Sequence, residues 1–255
     1  MPQWVLTLGA GAFDIGILHL PGQMNAGTDL RIKKKMKVLD LFSGTGSVAR
    51  VFRRHGHDVT TLDRDLAADI QTDIMDWDFR QFDPGTFDFV WASPPCTEYS
   101  AAKTLGVRKL DEANQIVERT LAAIAHLNPP AWVLENPQTG LLKKQAFMDP
   151  YPYVDVDYCR YNMPYRKRTR LWGNIAPALR LEPLCRYDCA SIDASGRKHV
   201  ATAQRVQNAN GQGVRSRFSQ QDLYRIPEPL IDDVIRSLLA HSAATVQDTP
   251  SQSAP

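Results

Sequence analysis

The chain has 255 residues, of which 30 are Lys or Arg and 28 are Asp or Glu, so its formal net charge is +2. A hydrophobic content of 43% is enough for a packed core and excludes a generally disordered protein. No stretch of about 18 uninterrupted apolar residues occurs, which excludes an apolar membrane span. Four cysteines are too few for a disulfide scaffold, so we expect a reducing, cytoplasmic setting.

The small net charge conceals an uneven distribution along the chain. Between Arg160 and Arg225 there are 13 basic and 4 acidic residues, a local net charge of +9, so the remainder carries −7. A basic stretch of this kind is a candidate surface for binding phosphate groups. The charge pattern therefore places candidate nucleic-acid contacts in this segment.

The hydrophobic pattern predicts alternating strands and helices from residue 36 onward. We predict strands at 36–42, 58–62, 87–92 and 132–134, and helices at 48–55, 109–127 and 227–240. This βαβα order predicts a parallel sheet that is covered by helices on both faces.

The same pattern predicts how the chain is divided. We expect residues 1–35 to be an extension outside the core and residues 36–175 to form the main α/β domain. A small basic segment over 176–225 follows, because its composition turns polar and rich in arginine. A helix within 226–242 is expected to pack back on the main domain, and the polar tail 243–255 is expected to be disordered.

The first motif that carries chemistry is the segment 40–47, Asp-Leu-Phe-Ser-Gly-Thr-Gly-Ser, between the first strand and the first helix. Gly44 and Gly46 let the backbone approach a ligand, and the start of the helix favours polar or anionic groups. Asp63 ends the second strand about 20 residues later, where a carboxylate can bind a ribose diol. Together they predict a cofactor with a nucleoside, against the alternative of an ordinary βα turn and a surface Asp.

The second motif is the segment 92–100, Ala-Ser-Pro-Pro-Cys-Thr-Glu-Tyr-Ser, after the third predicted strand. Ligands bind at this edge of a parallel sheet. The two prolines stiffen the loop and orient Cys96. A thiol held in such a position is a candidate nucleophile, although a cysteine in a loop is more often structural.

The third motif is the segment 132–137, Trp-Val-Leu-Glu-Asn-Pro, which carries Glu135 at the end of an apolar strand. Desolvation of a carboxylate at such a position favours its protonated form, which suits proton donation. A carboxylate in solvent at the strand end is the alternative interpretation.

The three motifs, in this order and at this spacing, resemble those of the DNA cytosine-5 methyltransferase family. The segment 40–47 is similar to the family's cofactor motif, 93–96 to its Pro-Cys loop and 134–137 to its Glu-Asn motif. The resemblance covers residues 36–173. It implies the α/β, Rossmann-like fold of methyltransferases that use S-adenosylmethionine, with a small basic insertion for target recognition.

The resemblance also implies the reactants and the residues that hold them. It implies S-adenosylmethionine as cofactor and DNA as partner, with Cys96 adding to C6 of a flipped-out cytosine and Glu135 donating a proton at N3. The implied cofactor-binding residues are Phe42, Ser43, Gly44, Thr45, Gly46, Asp63, Asp73, Ile74 and Pro95.

The segment 164–173, Pro-Tyr-Arg-Lys-Arg-Thr-Arg-Leu-Trp-Gly, resembles an arginine-containing segment of the family but lacks its Gln. Counted from the following strand, Arg168 and Arg170 match the family's two arginines. Counted from the proline, Lys167 and Thr169 match them. We favour Arg168 and Arg170, because arginine supplies directional donors for cytosine O2 and for Glu135 or phosphate. A basic face that only neutralises phosphates is the alternative.

Other departures from the family leave two further functions open. The family's Arg-Gly pair before the central helix is absent, and no Gly-Asn-Ser motif stands near the C-terminus. The same chemistry on RNA and an inactive nucleic-acid binder are therefore the alternatives. We expect a monomer in the cytoplasm of a bacterial or phage-infected cell, with a role in restriction-modification, phage self-protection or epigenetic marking.

Four residues of the basic region and its boundary are candidates for a zinc site. Cys185 and Cys189 are followed by His199 and preceded by Cys159. Thiolate and imidazole ligands suit tetrahedral Zn²⁺, and a loop-rich segment gains stability from a bound metal. Two scattered pairs of buried cysteines are the alternative.

Overall fold

The computed structural model describes residues 35–100, 103, 106–203, 205–207, 213–215 and 218–247. The predicted extension 1–35 lies outside these residues, apart from Lys35. The strands are β1 (Lys37–Leu41), β2 (Asp58–Asp63), β3 (Ile70–Gln71), β4 (Phe89–Ala92), β5 (Ala131–Pro137), β6 (Tyr153–Asp157), β7 (Arg168–Trp172), β8 (Arg205–Gln207) and β9 (Gly213–Arg215). The helices are α1 (Ser47–Arg54), α2 (Leu110–Leu127), α3 (Gln220–Tyr224) and α4 (Glu228–Gln247).

Seven strands form one sheet in the order β3-β2-β1-β4-β5-β7-β6, and β8 pairs with β9 in a separate ribbon. The predicted α/β fold is confirmed, and the five strands from β3 to β5 pair in parallel. The four predicted strands correspond to β1, β2, β4 and β5, which pair in parallel as expected. The direction of β7 was not predicted, and this strand runs antiparallel to both β5 and β6. The connection from β6 to β7 has no α-helix, and a parallel return would need a longer crossover.

The strands are apolar because both faces of the sheet are covered. All four residues of β4 are buried, and successive residues belong to opposite core clusters. One cluster packs Phe89 and Val133 against α1 and α4. The other packs Val90 and Leu134 against α2. The sheet therefore has helices on both faces, as the order of the elements predicted.

The helix predicted at 227–240 is α4, which packs against α1. Its buried positions follow the i, i+4 spacing of an amphipathic helix. Arg50 and Arg54 of α1 both bind the Glu228 carboxylate, at 2.9 and 2.7 Å. The helix continues to Gln247, into the predicted disordered tail, and residues 248–255 lie outside the described part.

Within the described residues, no helix is long and apolar enough to cross a membrane.

Gly173 follows β7 at a point where its backbone touches β5. A Cβ at this position would lie 2.0 Å from the carbonyl oxygen of Trp132, and φ is +153°. The Gly173 N–H donates to the carbonyl of Pro152 at 2.9 Å. The close approach of β7 to β5 therefore requires a residue without a side chain.

Replacing Gly173 with Ala is expected to lower the free energy of unfolding by about 3 kcal/mol, because the added methyl overlaps the Trp132 carbonyl and displaces backbone. Gly85→Ala is the matched control, since Gly85 has φ +81° but a methyl added there would meet no atom within 4 Å. The control should lose only about 1 kcal/mol from its left-handed backbone. Urea denaturation measures both variants, and equal losses would contradict a contact-based role for Gly173.

Candidate active site

A cavity of about 520 Å³ opens at the carboxyl ends of β1, β2, β4 and β5. In an open α/β sheet, ligands bind at this edge where the strand order reverses. All three sequence motifs contribute residues to it. The predicted site residues that line the cavity are Phe42, Ser43, Gly44, Thr45, Asp63, Asp73, Ile74, Pro95, Cys96 and Glu135. The remaining predicted cofactor residue, Gly46, lines a smaller adjoining pocket together with Ser43, Gly44 and Thr45.

The turn between β1 and α1 has three residues in the left-handed region of backbone space. Gly44 and Gly46 have φ of 51° and 70°, and Phe42 has φ of 61°. Glycine adopts such angles without steric cost, whereas a phenylalanine there is strained by about 1–3 kcal/mol. Phe42 is half-buried and lines the cavity. The turn therefore holds an aromatic ring at the cavity wall by means of an unfavourable backbone conformation.

The Asp63 carboxylate connects this turn to the loop after β2. One oxygen accepts the Gly44 N–H at 2.8 Å, and the other accepts the N–H groups of Asp65 and Leu66 at 2.9 and 2.8 Å. Carboxylate oxygens have about four acceptor sites in total, so Asp63 retains capacity for a further donor. Asp63 thus fixes the shape of the cavity wall and remains able to bind a ligand hydroxyl.

The cavity wall carries more negative than positive side chains. Asp73 accepts the Met75 N–H at 2.9 Å and pairs with Arg64 at 3.1 Å. Five carboxyl groups and two basic side chains line the cavity. They are Asp40, Asp63, Asp65, Asp73 and Glu135, with Arg64 and Lys167. Burial raises the pKa of Asp40 to about 7, but the other four carboxylates still outnumber the two cations, and this excess suits a ligand with a positive charge.

The loop after β4 holds Cys96 half-buried at the other side of the cavity. The Asn136 side chain, itself fully buried, donates to the carbonyl of Pro94 at 2.9 Å and anchors the loop to β5. Burial raises the pKa of the Cys96 thiol, while the nearby charge of Lys167 lowers it and that of Glu135 raises it. The Cys96 thiol therefore keeps its proton to a higher pH than an exposed thiol does. The positive charge of Lys167 acts in the opposite direction and favours the thiolate.

Glu135 is 6% exposed and has two neighbours that compensate its burial. The Tyr158 hydroxyl donates to Glu135 Oε1 at 3.0 Å, and Lys167 Nζ lies 3.7 Å from the same oxygen. Burial and the Glu135 charge raise the pKa of Tyr158 well above its usual value, so the phenol stays a donor. Lys167 is also held in place by a 3.0 Å hydrogen bond to the carbonyl of Leu223.

Arg168 and Arg170 do not line the cavity. Each forms a two-pronged ion pair with β6: Arg168 binds Asp157 at 2.9 and 2.6 Å, and Arg170 binds Asp155 at 2.7 and 2.9 Å. The structure thus does not bring Arg168 and Arg170, the pair that we favoured, to the cavity. It brings Lys167, which belongs to the other way of counting, to Glu135 instead. Side chains alternate along a strand. Since Glu135 pairs with Leu171, the odd-numbered side chains of this segment share its face.

Three residues at the site did not follow from the motifs as site residues. Lys167 belonged to the register that we set aside. Asn136 stood in the third motif without an assigned role, and its partner Pro94 is 42 residues away. Tyr158 had no sequence signal, because its contact with Glu135 depends on how β6 and β7 pair with β5.

The four predicted zinc ligands lie together, away from the cavity. The Sγ atoms of Cys159, Cys185 and Cys189 are each 3.4 Å from His199 Nε2. All of these ligand atoms are within 4.8 Å of one another, and the cysteines are free thiols. The alternative of two separate cysteine pairs is therefore wrong.

Comparison with known proteins identifies two related sequences. No family model matches the chain. A probable DNA (cytosine-5)-methyltransferase of Frog virus 3 (isolate Goorha) is 33% identical over 220 residues, which cover 78% of this chain and 99% of the viral protein. The type II methyltransferase M.AgeI of Thalassovita gelatinovora is 27% identical over 182 residues, 58% of this chain and 41% of that protein.

Solved structures align less well. The S. pombe Dnmt2 methyltransferase has 18% identity and a TM-score of 0.41, over 55% of this chain and 50% of its own. A putative DNA modification methyltransferase encoded within an E. coli prophage has 18% identity and a TM-score of 0.42, over 67% and 53% of the two chains. The chain thus spans nearly the whole viral relative but only about half of these structures.

Replacing Lys167 with Met is expected to raise the pKa of Cys96 further, because the positive charge that favours the thiolate is lost. Alkylation requires the thiolate, so the profile of Cys96 alkylation by iodoacetamide should move to higher pH. Peptide mass spectrometry measures this rate for Cys96 separately from the other cysteines. Lys167→Arg keeps the charge and should retain the wild-type profile. An unchanged profile in Lys167→Met would show that Lys167 has no electrostatic effect on the thiol.

Proposed function

The chain belongs to the DNA (cytosine-5)-methyltransferase family, and from this premise we propose that it transfers a methyl group from S-adenosylmethionine to C5 of a cytosine in DNA. The observation that carries the proposal is that Cys96, Glu135 and residues 42–45 of the glycine turn meet at one cavity. A nucleophile, a buried carboxyl group and a turn suited to a nucleoside are the parts that this reaction needs. The expected monomeric state and cytoplasmic location stay predictions.

The charges and the glycine turn of the cavity suit the cofactor. When bound, S-adenosylmethionine supplies an electrophilic methyl group on a positively charged sulfonium. The excess of carboxylates in the cavity wall favours that charge, and the glycine turn allows close approach of a ligand to the backbone. Asp63 would bind the ribose hydroxyls, Phe42 would stack on the adenine, and Asp73 with Ile74 would contact the adenine edge.

Cys96 would start the reaction on the base. Cytosine C5 is too weak a nucleophile to accept a methyl group directly. Addition of the Cys96 thiolate forms a bond to C6 and shifts the electron pair of the C5–C6 double bond onto C5, conjugated with N3, which activates C5. C5 would then bond to the methyl group while the bond from that methyl to the sulfonium sulfur breaks and leaves a neutral thioether. After methylation, loss of the C5 proton and departure of the Cys96 thiolate restore the double bond. The base has to leave the DNA stack for this attack, because both faces of C6 are covered in the duplex.

Glu135 would neutralise the charge that this addition creates. The thiolate brings a negative charge into the ring, and a protonated Glu135 can donate to N3. Among the described residues, Tyr158 and Lys167 both contact Oε1, so Oε2 would be the oxygen that donates to the base. The two contacts fix the orientation of the carboxyl group before the base arrives.

Lys167 would take the part that the resemblance assigned to an arginine. Its position near both Cys96 and Glu135 favours the thiolate and balances the buried carboxylate. A lysine is a compact point charge without the directional fork of arginine, so it supports charge rather than planar recognition of the base. Arg168 and Arg170 would stabilise the β6–β7 edge through their carboxylate partners.

The exposed basic residues of the segment 176–203 would contact the DNA backbone. Arg186, Arg197 and Lys198 are all exposed. Arg160, which precedes this segment, is instead paired with Glu182 and Asp188. Contacts of this kind release counterions, so DNA affinity should fall with increasing salt.

A trapping experiment tests the covalent step. In DNA that contains 5-fluorocytosine, fluorine replaces the proton that has to leave, so the Cys96 adduct cannot be released. With S-adenosylmethionine present, wild type should form a stable protein–DNA adduct on a denaturing gel and Cys96→Ala should form none. No adduct from wild type would favour an inactive nucleic-acid binder, and an adduct only with the matching RNA would identify RNA as the substrate.

Glu135→Gln provides a second arm of the same experiment. The amide keeps the size of the side chain but cannot act as the acid, so adduct formation should slow by about 100-fold or more. Adduct formation at the wild-type rate would exclude Glu135 as the proton donor.

Replacing Phe42 with Ala is expected to weaken binding of S-adenosylmethionine by about tenfold, because stacking on an aromatic ring contributes about 1–3 kcal/mol per base. Phe82→Ala is the control, since Phe82 is also half-buried but lies outside the cavity. Isothermal titration calorimetry gives both dissociation constants. A wild-type dissociation constant for Phe42→Ala would show that the Phe42 ring does not contact the cofactor.

A further inference from the structure

The four ligand atoms of the cysteine–histidine cluster have the spacing of a tetrahedral metal site. For Zn–S bonds of about 2.3 Å and Zn–N bonds of about 2.0 Å, tetrahedral geometry places sulfur about 3.5 Å from nitrogen. The three observed Sγ–Nε2 distances are 3.4 Å. We propose that Cys159, Cys185, Cys189 and His199 bind one structural Zn²⁺ ion.

Hydrogen bonding and disulfide formation do not explain the same arrangement. A neutral imidazole nitrogen has one lone pair, so it can accept a hydrogen bond from only one of the three thiols around His199 Nε2. A disulfide joins two sulfurs and leaves the third without a partner. A tetrahedral divalent cation, in contrast, can coordinate all three sulfurs and the imidazole nitrogen at once.

The site is structural rather than catalytic. Four protein ligands complete a tetrahedral zinc shell and leave no open position for water or substrate. None of the four residues lines the cavity that contains Cys96. Among the described residues, the nearby apolar cluster contains only three buried members, which are Tyr165, Ala201 and Ala203. A bound metal supplies the stability that so small a core lacks.

The ligands come from separate parts of the chain that surround the β6–β7 edge. Cys159 follows β6, while Cys185 and Cys189 lie in the loop after β7. The Cys185 N–H donates to Asp157 Oδ2 at 3.1 Å, and Asp157 binds Arg168 of β7. The zinc ion would thus connect the basic segment to the edge of the main sheet.

The same site would hold the backbone beside Lys167. Two residues after His199, the carbonyl of Ala201 accepts the Arg166 N–H at 2.9 Å, and the Ala203 N–H donates back to the Arg166 carbonyl at 2.9 Å. Arg166 precedes Lys167, which contacts Glu135. Zinc binding therefore positions the segment that carries Lys167, although the metal itself lies outside the cavity.

Metal analysis of the full chain tests the site independently of methyl transfer. Wild type purified without chelators should contain about one equivalent of zinc, and Cys189→Ser should contain less than about a tenth. Cys189 is the half-buried thiol of the cluster, so its replacement disturbs packing least. Cys96→Ser removes a thiol elsewhere and should keep the full equivalent. Wild type with less than about a tenth of an equivalent, or full zinc in Cys189→Ser, would overturn the proposal.

Cobalt substitution and thermal unfolding keep the test decisive if Cys189→Ser does not fold. Wild type freed of metal by a chelator and given Co²⁺ should show the intense visible absorption of tetrahedral cobalt with thiolate ligands. Removal of the metal should also lower Tm by more than about 5 °C, and Zn²⁺ should restore it. Weak octahedral cobalt absorption together with an unchanged Tm would exclude the site.

Discussion

The pairing of Glu135 with Leu171 across β5 and β7 determines on which face each polar side chain of this sheet edge lies. Alternation along β7 and the residue before it then places Lys167 on the face of Glu135 and Arg168 and Arg170 on the other face. A shift of one residue would exchange these positions. The absence of a side chain at Gly173 allows the two strands to approach closely. The polar contacts of the cavity therefore depend on a backbone register.

As a result, the side chains on the two faces of this strand segment contact different sites. On one face Lys167 contacts Glu135, and the cavity gains a positive charge beside a buried carboxylate and a thiol. On the other face Arg168 binds Asp157, which is fully buried. Burial raises the pKa of Asp157, but the hydrogen bonds and charge of Arg168 outweigh it and hold that pKa below its usual value. Because Asp157 also accepts the Cys185 N–H, the same strand joins the proposed active site to the proposed zinc site.

The charge distribution has a different meaning in three dimensions. The segment 160–225 carries a local net charge of +9, but Asp155 and Asp157 lie just outside it and pair with two of its arginines. Glu182 and Asp188 bind Arg160 in addition. Paired arginines stabilise the sheet edge and attract phosphate less than free ones. The positive charge that remains available to phosphate groups is therefore carried by exposed residues such as Arg186 and Lys198.

The sequence by itself determined the features that depend on neighbouring residues: the order of the main strands and helices, the glycine turn, Asp63 at the end of β2, and Cys96 in the loop after β4. Glu135 was expected at a strand tip but lies inside β5, which continues to Pro137. The sequence also indicated the family and the four candidate metal ligands. Only the tertiary structure decided the direction of β7, the contacts of Lys167 and Tyr158 with Glu135, and the meeting of Cys159 with His199, which are 40 residues apart. Strand ends follow from local hydrophobic patterns, whereas these contacts depend on the pairing of distant strands, in which a shift of one residue reverses every side chain.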